Sequence, residues 1–62
     1  MTMGTRVAVT VEGLFCGEVG SIVQLRYQDS DNHLWDYLVQ LDGWKNPTPF
    51  NADELEEANP DD

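Results

Sequence analysis

Cys16 and His33 are the residues with the greatest intrinsic reactivity, and each is the single representative of its type in 62 residues. A cysteine nucleophile needs a base within hydrogen-bond reach. Both residues fall in stretches that read as loops, so a dyad requires those loops to meet at one end of the fold. The alternative assigns Cys16 to a partly buried small side chain. Asp29, Asp31, Asn32 and His33 raise a second chemistry, cation binding. A calcium loop places oxygen ligands at alternating positions, then a glycine, then a distal glutamate. Here His33 stands third in the series and Leu34 occupies the glycine position. Zinc would need a second histidine or cysteine nearby. The remaining carboxylates sit on turns and near the C-terminal end, and no glycine-rich phosphate loop precedes a helix. The expectation is a chain with no catalytic residues, no cofactor and no metal.

Binding is the chemistry that remains. Phe15, Tyr27, Trp35, Tyr37, Trp44 and Phe50 give six aromatic rings to a very small chain. Tryptophan and tyrosine bury much area at low entropic cost and are favoured interface anchors. Leu14, Phe15, Trp35 and Trp44, rimmed by Asp36 and Asp42, are therefore the candidate partner-binding residues. Two of them have a second reading: Phe15 can fold back to cap the core, and Trp44 can pack across the sheet onto Lys45 and Pro47.

Charge narrows the partner. Twelve acidic residues oppose three basic ones, for a net charge of −9. Nucleic-acid modules gather lysine and arginine into stripes, because each phosphate contact displaces counterions. Arg6, Arg26 and Lys45 are dispersed, so nucleic acid is disfavoured and a protein with a basic surface is favoured. A second copy of the chain is also an admissible partner.

The elements that must position these residues are strands. Val7, Val9 and Val11 alternate with Arg6, Ala8 and Thr10, which predicts a strand over 5–11 with one apolar face. Gly13 and Gly17 bracket a loop over 12–17 with Leu14 and Phe15 at its tip. A second, long strand over 18–27 has apolar residues of both parities at Ile22 and Val23, which a bulge would reconcile. Residues 28–33 are a polar hairpin loop. A third strand over 34–41 puts Trp35, Tyr37, Val39 and Leu41 on its core face and leaves Leu38 on the other. Asp42-Gly43 is a turn signal. Pro47 and Pro49 make the segment starting at Trp44 an edge or irregular strand. Asn51 caps a single helical turn over 51–55 whose Leu55 points into the core. A last short strand is expected over 56–58.

GTRVAVTVEG followed by FCGEVGSIVQL resembles the opening of a KOW module, and YLVQLDG and PFNADELEE are similar to the third strand and pre-terminal turn of the same template. The resemblance covers nearly the whole chain. It implies an all-β fold, a single small five-stranded SH3-like barrel with a short 3-10 turn before the last strand. The ending is also similar to the small peripheral SH3-like subunits of photosynthetic complexes. Such barrels serve ribosomal, transcriptional, photosynthetic and phage proteins alike, so the resemblance implies a fold more strongly than an activity. It carries a second functional expectation, a KOW-like module contacting RNA or a ribonucleoprotein. One enzyme family, the type II dihydrofolate reductases, uses this barrel with a Val-Gln-Ile-Tyr segment. Val39-Gln40-Leu41-Asp42 is similar only in its first three places, and Asp42 would set negative charge near an anionic cofactor.

Sixty-two residues make one domain at most, expected over 1–58 with an acidic, disordered tail over 59–62. A chain of this size buries roughly 60% of its unfolded surface, and one cysteine gives no internal disulfide. A lone thiol, no apolar run of membrane-spanning length and no leader-like N-terminus lead to the expectation of a cytoplasmic protein.

Overall fold

The structure is a computed structural model and describes residues 1–58; the expected tail over 59–62 lies outside them. Five strands form: β1 (Arg6–Val9), β2 (Val19–Gln28), β3 (Leu34–Leu41), β4 (Thr48–Phe50) and β5 (Leu55–Glu57). A 3-10 turn, Ala52–Glu54, joins β4 to β5. The strands make one antiparallel sheet in the order β4-β3-β2-β1-β5. The fold is therefore all-β with a 3-10 turn before the last strand, as the pattern predicts. Among the described residues no ladder joins β4 to β5, so the sheet stays open along that seam.

The alternation in β1 buries Val7 and Val9 completely or nearly so. Val11 does not continue the series and is exposed, which corrects the longer strand expected from the valine spacing. The reason lies in the backbone. The Thr10 N–H donates to the Glu54 carbonyl at 2.9 Å, and the Gly17 N–H donates to the Val9 carbonyl at 2.9 Å. Beyond these bonds residues 11–17 form the loop to β2, and among the described residues no strand pairing includes Val11.

β2 carries the expected irregularity. Its register against β3 shifts between Ile22 and Gln24, so Ile22 can point into the core while Val23 and Leu25 remain outside it. Gly20 permits the close approach of the two strands. A Cβ there would strike the Gln40 carbonyl oxygen and stand 2.7 Å from the Leu41 Cα. β3 occupies the predicted residues. β4 begins at Thr48 rather than near Trp44, because the Trp44 N–H is turned back to the Leu41 carbonyl at 3.2 Å and residues 44–47 form an irregular bend. With its prolines, β4 is a sheet edge, as Pro47 and Pro49 require.

The core consists of Val7, Val9, Ile22, Val39, Leu41, Phe50 and Leu55, with Phe15 and Tyr37 packed against it. Leu38 is also buried, against the side of the sheet where β4 sets Pro49 opposite it. The 3-10 turn delivers Leu55. The Asn51 N–H donates to the Glu54 side-chain carboxylate at 2.8 Å and the Glu54 N–H donates to the Asn51 carbonyl at 3.0 Å. The first bond satisfies the donor that precedes the turn, and the second is the turn's own i to i+3 bond. No helix in the described residues is long and apolar enough to cross a membrane.

Candidate functional site

The loop between β1 and β2 sets the most exposed apolar residue. Gly13 and Gly17 take φ of 141° and 88°, values that side-chain-bearing residues avoid, and the three residues between them fold into tight turns. Leu14 is 78% exposed at the tip. Phe15 points the other way: its ring meets Phe50 edge-on at 5.9 Å between centroids and Trp44 at 4.9 Å. Phe15 thus caps the core, the first of its two readings, and supports Trp44 from beneath. Trp44 is itself held by its backbone, where its carbonyl accepts the Gln40 side-chain amide at 2.7 Å. The residue is 38% exposed. Leu14, Phe15 and Trp44 therefore share one end of the molecule.

Trp35 belongs to the opposite end. It lies six positions before Leu41 along β3, roughly 20 Å at an extended rise. Its indole N–H donates to one oxygen of Asp29 at 2.9 Å, and the His33 ring lies 4.5 Å from its own. The other Asp29 oxygen accepts the N–H groups of Asp31 at 2.9 Å and His33 at 3.0 Å. These donors, the Trp35 indole foremost and the His33 N–H next, hold the Asp29 carboxyl below the usual carboxylate range. The series Asp29–His33 that suggested a cation loop is thus an aspartate-centred turn. Asn32 takes a left-handed φ of 65° inside it, a conformation asparagine tolerates better than most. The role of Asp29 went unassigned in the sequence reading; the signal was an aspartate two residues before another turn-former at a hairpin tip. No cluster of three or more metal-ligating side chains exists among the described residues.

The two acidic candidates also separate. Asp36 accepts the Ala52 N–H at 2.8 Å and so ties β3 to the 3-10 turn. Asp42 takes both ends of the Arg6 guanidinium, one bond measuring 3.1 Å, while Arg6 also reaches the Ser21 hydroxyl at 2.9 Å. The pairing holds the Asp42 carboxyl low and pushes Arg6 further up. One of the three cations is therefore neutralised within the domain. Among the described residues Arg26 and Lys45 form no ion pair.

Cys16 is exposed rather than partly buried, a correction that follows from Phe15 taking the inward place in the same loop. Cys16 precedes β2 and His33 follows it, so ten residues of strand lie between them, roughly 30 Å at an extended rise. Searches against protein-family models, curated proteins and solved structures returned no match to this chain.

Proposed function

We propose that this chain is a non-catalytic, acidic protein-interaction module on an SH3-like plan, an accessory subunit or an inhibitor that docks on a basic protein surface. The observation that carries the reading is the aromatic end. Leu14 stands nearly free and the Trp44 ring is partly bare above Phe15. This apolar knob sits on a chain of charge −9. Anchors of this kind supply affinity, and a surrounding field of one sign supplies encounter rate and partner choice. The strand order and the 3-10 turn are compatible with the SH3-like template. The KOW-like alternative, RNA contact, loses support from the Arg6–Asp42 pair, which leaves Arg26 and Lys45 for phosphate.

The test is affinity purification from the native cell with wild type and Leu14→Ser. Leu14 touches so little that its replacement leaves stability within about 0.5 kcal/mol. A basic protein recovered with wild type and lost with Leu14→Ser supports the reading. Equal recovery by both removes the aromatic end from the interface. Salt-sensitive RNA capture by the isolated chain would replace the reading with the KOW-like one.

A further inference from the structure

A second feature lies away from the aromatic end. An open cleft of about 310 Å³ lies beside the β2–β3 hairpin, lined by Met1, Leu25, Arg26, Asp36, Tyr37 and Ala52. Its volume is at the lower end of small-molecule sites, which run from roughly 300 to 1,000 Å³. Most of its lining side chains are apolar, with one cationic and one anionic side chain among them.

The two charges are placed in an unusual way. The ladder sets Leu25 against Tyr37 and Tyr27 against Trp35, so Arg26 falls opposite Asp36. Opposite charges directly across an antiparallel pair ordinarily attract and meet. Here they do not: among the described residues the ion pair that forms is Arg6–Asp42. Asp36 instead spends one oxygen on the Ala52 N–H at 2.8 Å, leaving the other uncommitted among the described residues. Arg26 is held at φ 55°, in the left-handed region, inside a strand. A residue with a side chain stays in that region only where its surroundings compel it, and such residues gather at ligand sites. The result is a cation and a carboxylate facing one apolar cleft without closing on each other.

We infer that this cleft binds a free amino acid with an apolar or aromatic side chain. Its carboxylate goes to the Arg26 guanidinium, which receives carboxylates in a two-point fork. Its ammonium goes to the open oxygen of Asp36. Its side chain lies against Leu25, Tyr37 and Met1. A ligand of this type has no net charge, so the −9 field of the protein does not repel it, as it would repel a simple anion. A simple amine would meet Arg26 unpaired. The two charges of a free amino acid lie close together, whereas in a longer peptide the terminal groups are far apart.

The inference does not rest on the proposed docking function, because none of the lining residues belongs to the aromatic end. The experiment is an NMR amide titration of the full chain with L-phenylalanine, hydrocinnamate and phenethylamine, the last two lacking one charge each. Saturable shifts at Arg26, Asp36, Tyr37 and Ala52 with phenylalanine are expected, with at least tenfold weaker binding of each single-charge analogue. Arg26→Gly keeps the fold, because glycine takes this φ freely, and should abolish phenylalanine binding while the melting temperature holds or rises. Asp36→Asn keeps an acceptor for the Ala52 N–H and should weaken phenylalanine to the level of hydrocinnamate. The inference is overturned by the absence of saturable shifts, by equal binding of all three compounds, or by Arg26→Gly binding as wild type does.

Discussion

Asp29 shows how much one side chain can organise. Its two oxygens accept three N–H donors, one of them the indole of Trp35, and so fix both the hairpin tip and the ring beside it. The sign of its pH dependence follows from the lowered carboxyl. In the unfolded chain an aspartate titrates near pH 3.9, roughly. In the folded chain Asp29 keeps its charge to lower pH. Its contribution to stability is fully present above the unfolded value and is lost as pH falls through the folded one. Replacing Asp29 with asparagine should lower the melting temperature at pH 7 and flatten the acid limb of the melting curve below about pH 4. Thermal scans of both proteins across that range check it. Trp35 fluorescence should shift to the red in the variant at pH 7, as the indole loses its partner.

Between elements, the tightest constraint is the β2–β3 approach at Gly20. An added methyl there meets backbone on β3, which cannot rotate away. Gly20→Ala should therefore destabilise by about 3 kcal/mol. A domain of this length has roughly 3–9 kcal/mol in total, so urea denaturation should show the variant largely unfolded or close to it. The 3-10 turn is more forgiving. Glu54→Ala removes the acceptor for the Asn51 N–H and should cost about 0.5–1 kcal/mol. That is a melting-point loss of roughly 2–8 °C at this size. Much of this level was legible in the sequence. Period-two alternation located β3 to the residue, the Ile22–Val23 clash of parity located the bulge, and two prolines marked β4 as an edge. What was not legible depended on contacts distant in sequence. Val11 leaves its strand because of a bond from Thr10 to Glu54, and Asp42 is absorbed by Arg6 across the sheet. The candidate surface divides for the same reason: Trp35 and Trp44 flank one strand, and its length holds them apart.

At the scale of the whole molecule, charge dominates. The described residues span 37 × 24 × 22 Å. At about 10 mM salt the screening length is roughly 30 Å, so every acid feels every other; at about 0.1 M it is roughly 10 Å and most of that repulsion is gone. With a net charge of −9 on so short a chain, the melting temperature at pH 7 should rise across that interval, the opposite of a fold held by surface ion pairs. Scanning calorimetry in a salt series reads this directly, and a fall would mean that the Arg6–Asp42 pair outweighs the general field.

The open seam between β4 and β5 bears on how copies of the chain tolerate one another at high concentration. Each rim of the sheet presents backbone groups that an identical rim could bind, but one side carries Pro47 and Pro49, which lack the needed donors, and the other carries Glu56 and Glu57. The proline guard is built into the backbone, whereas the glutamate guard is carried by two side chains that substitution can remove. Fibrillisation, followed by thioflavin fluorescence, should therefore be absent in the wild type at pH 7 and begin in a Glu56→Thr, Glu57→Thr double variant, while a Glu56→Lys, Glu57→Lys double variant should resist it.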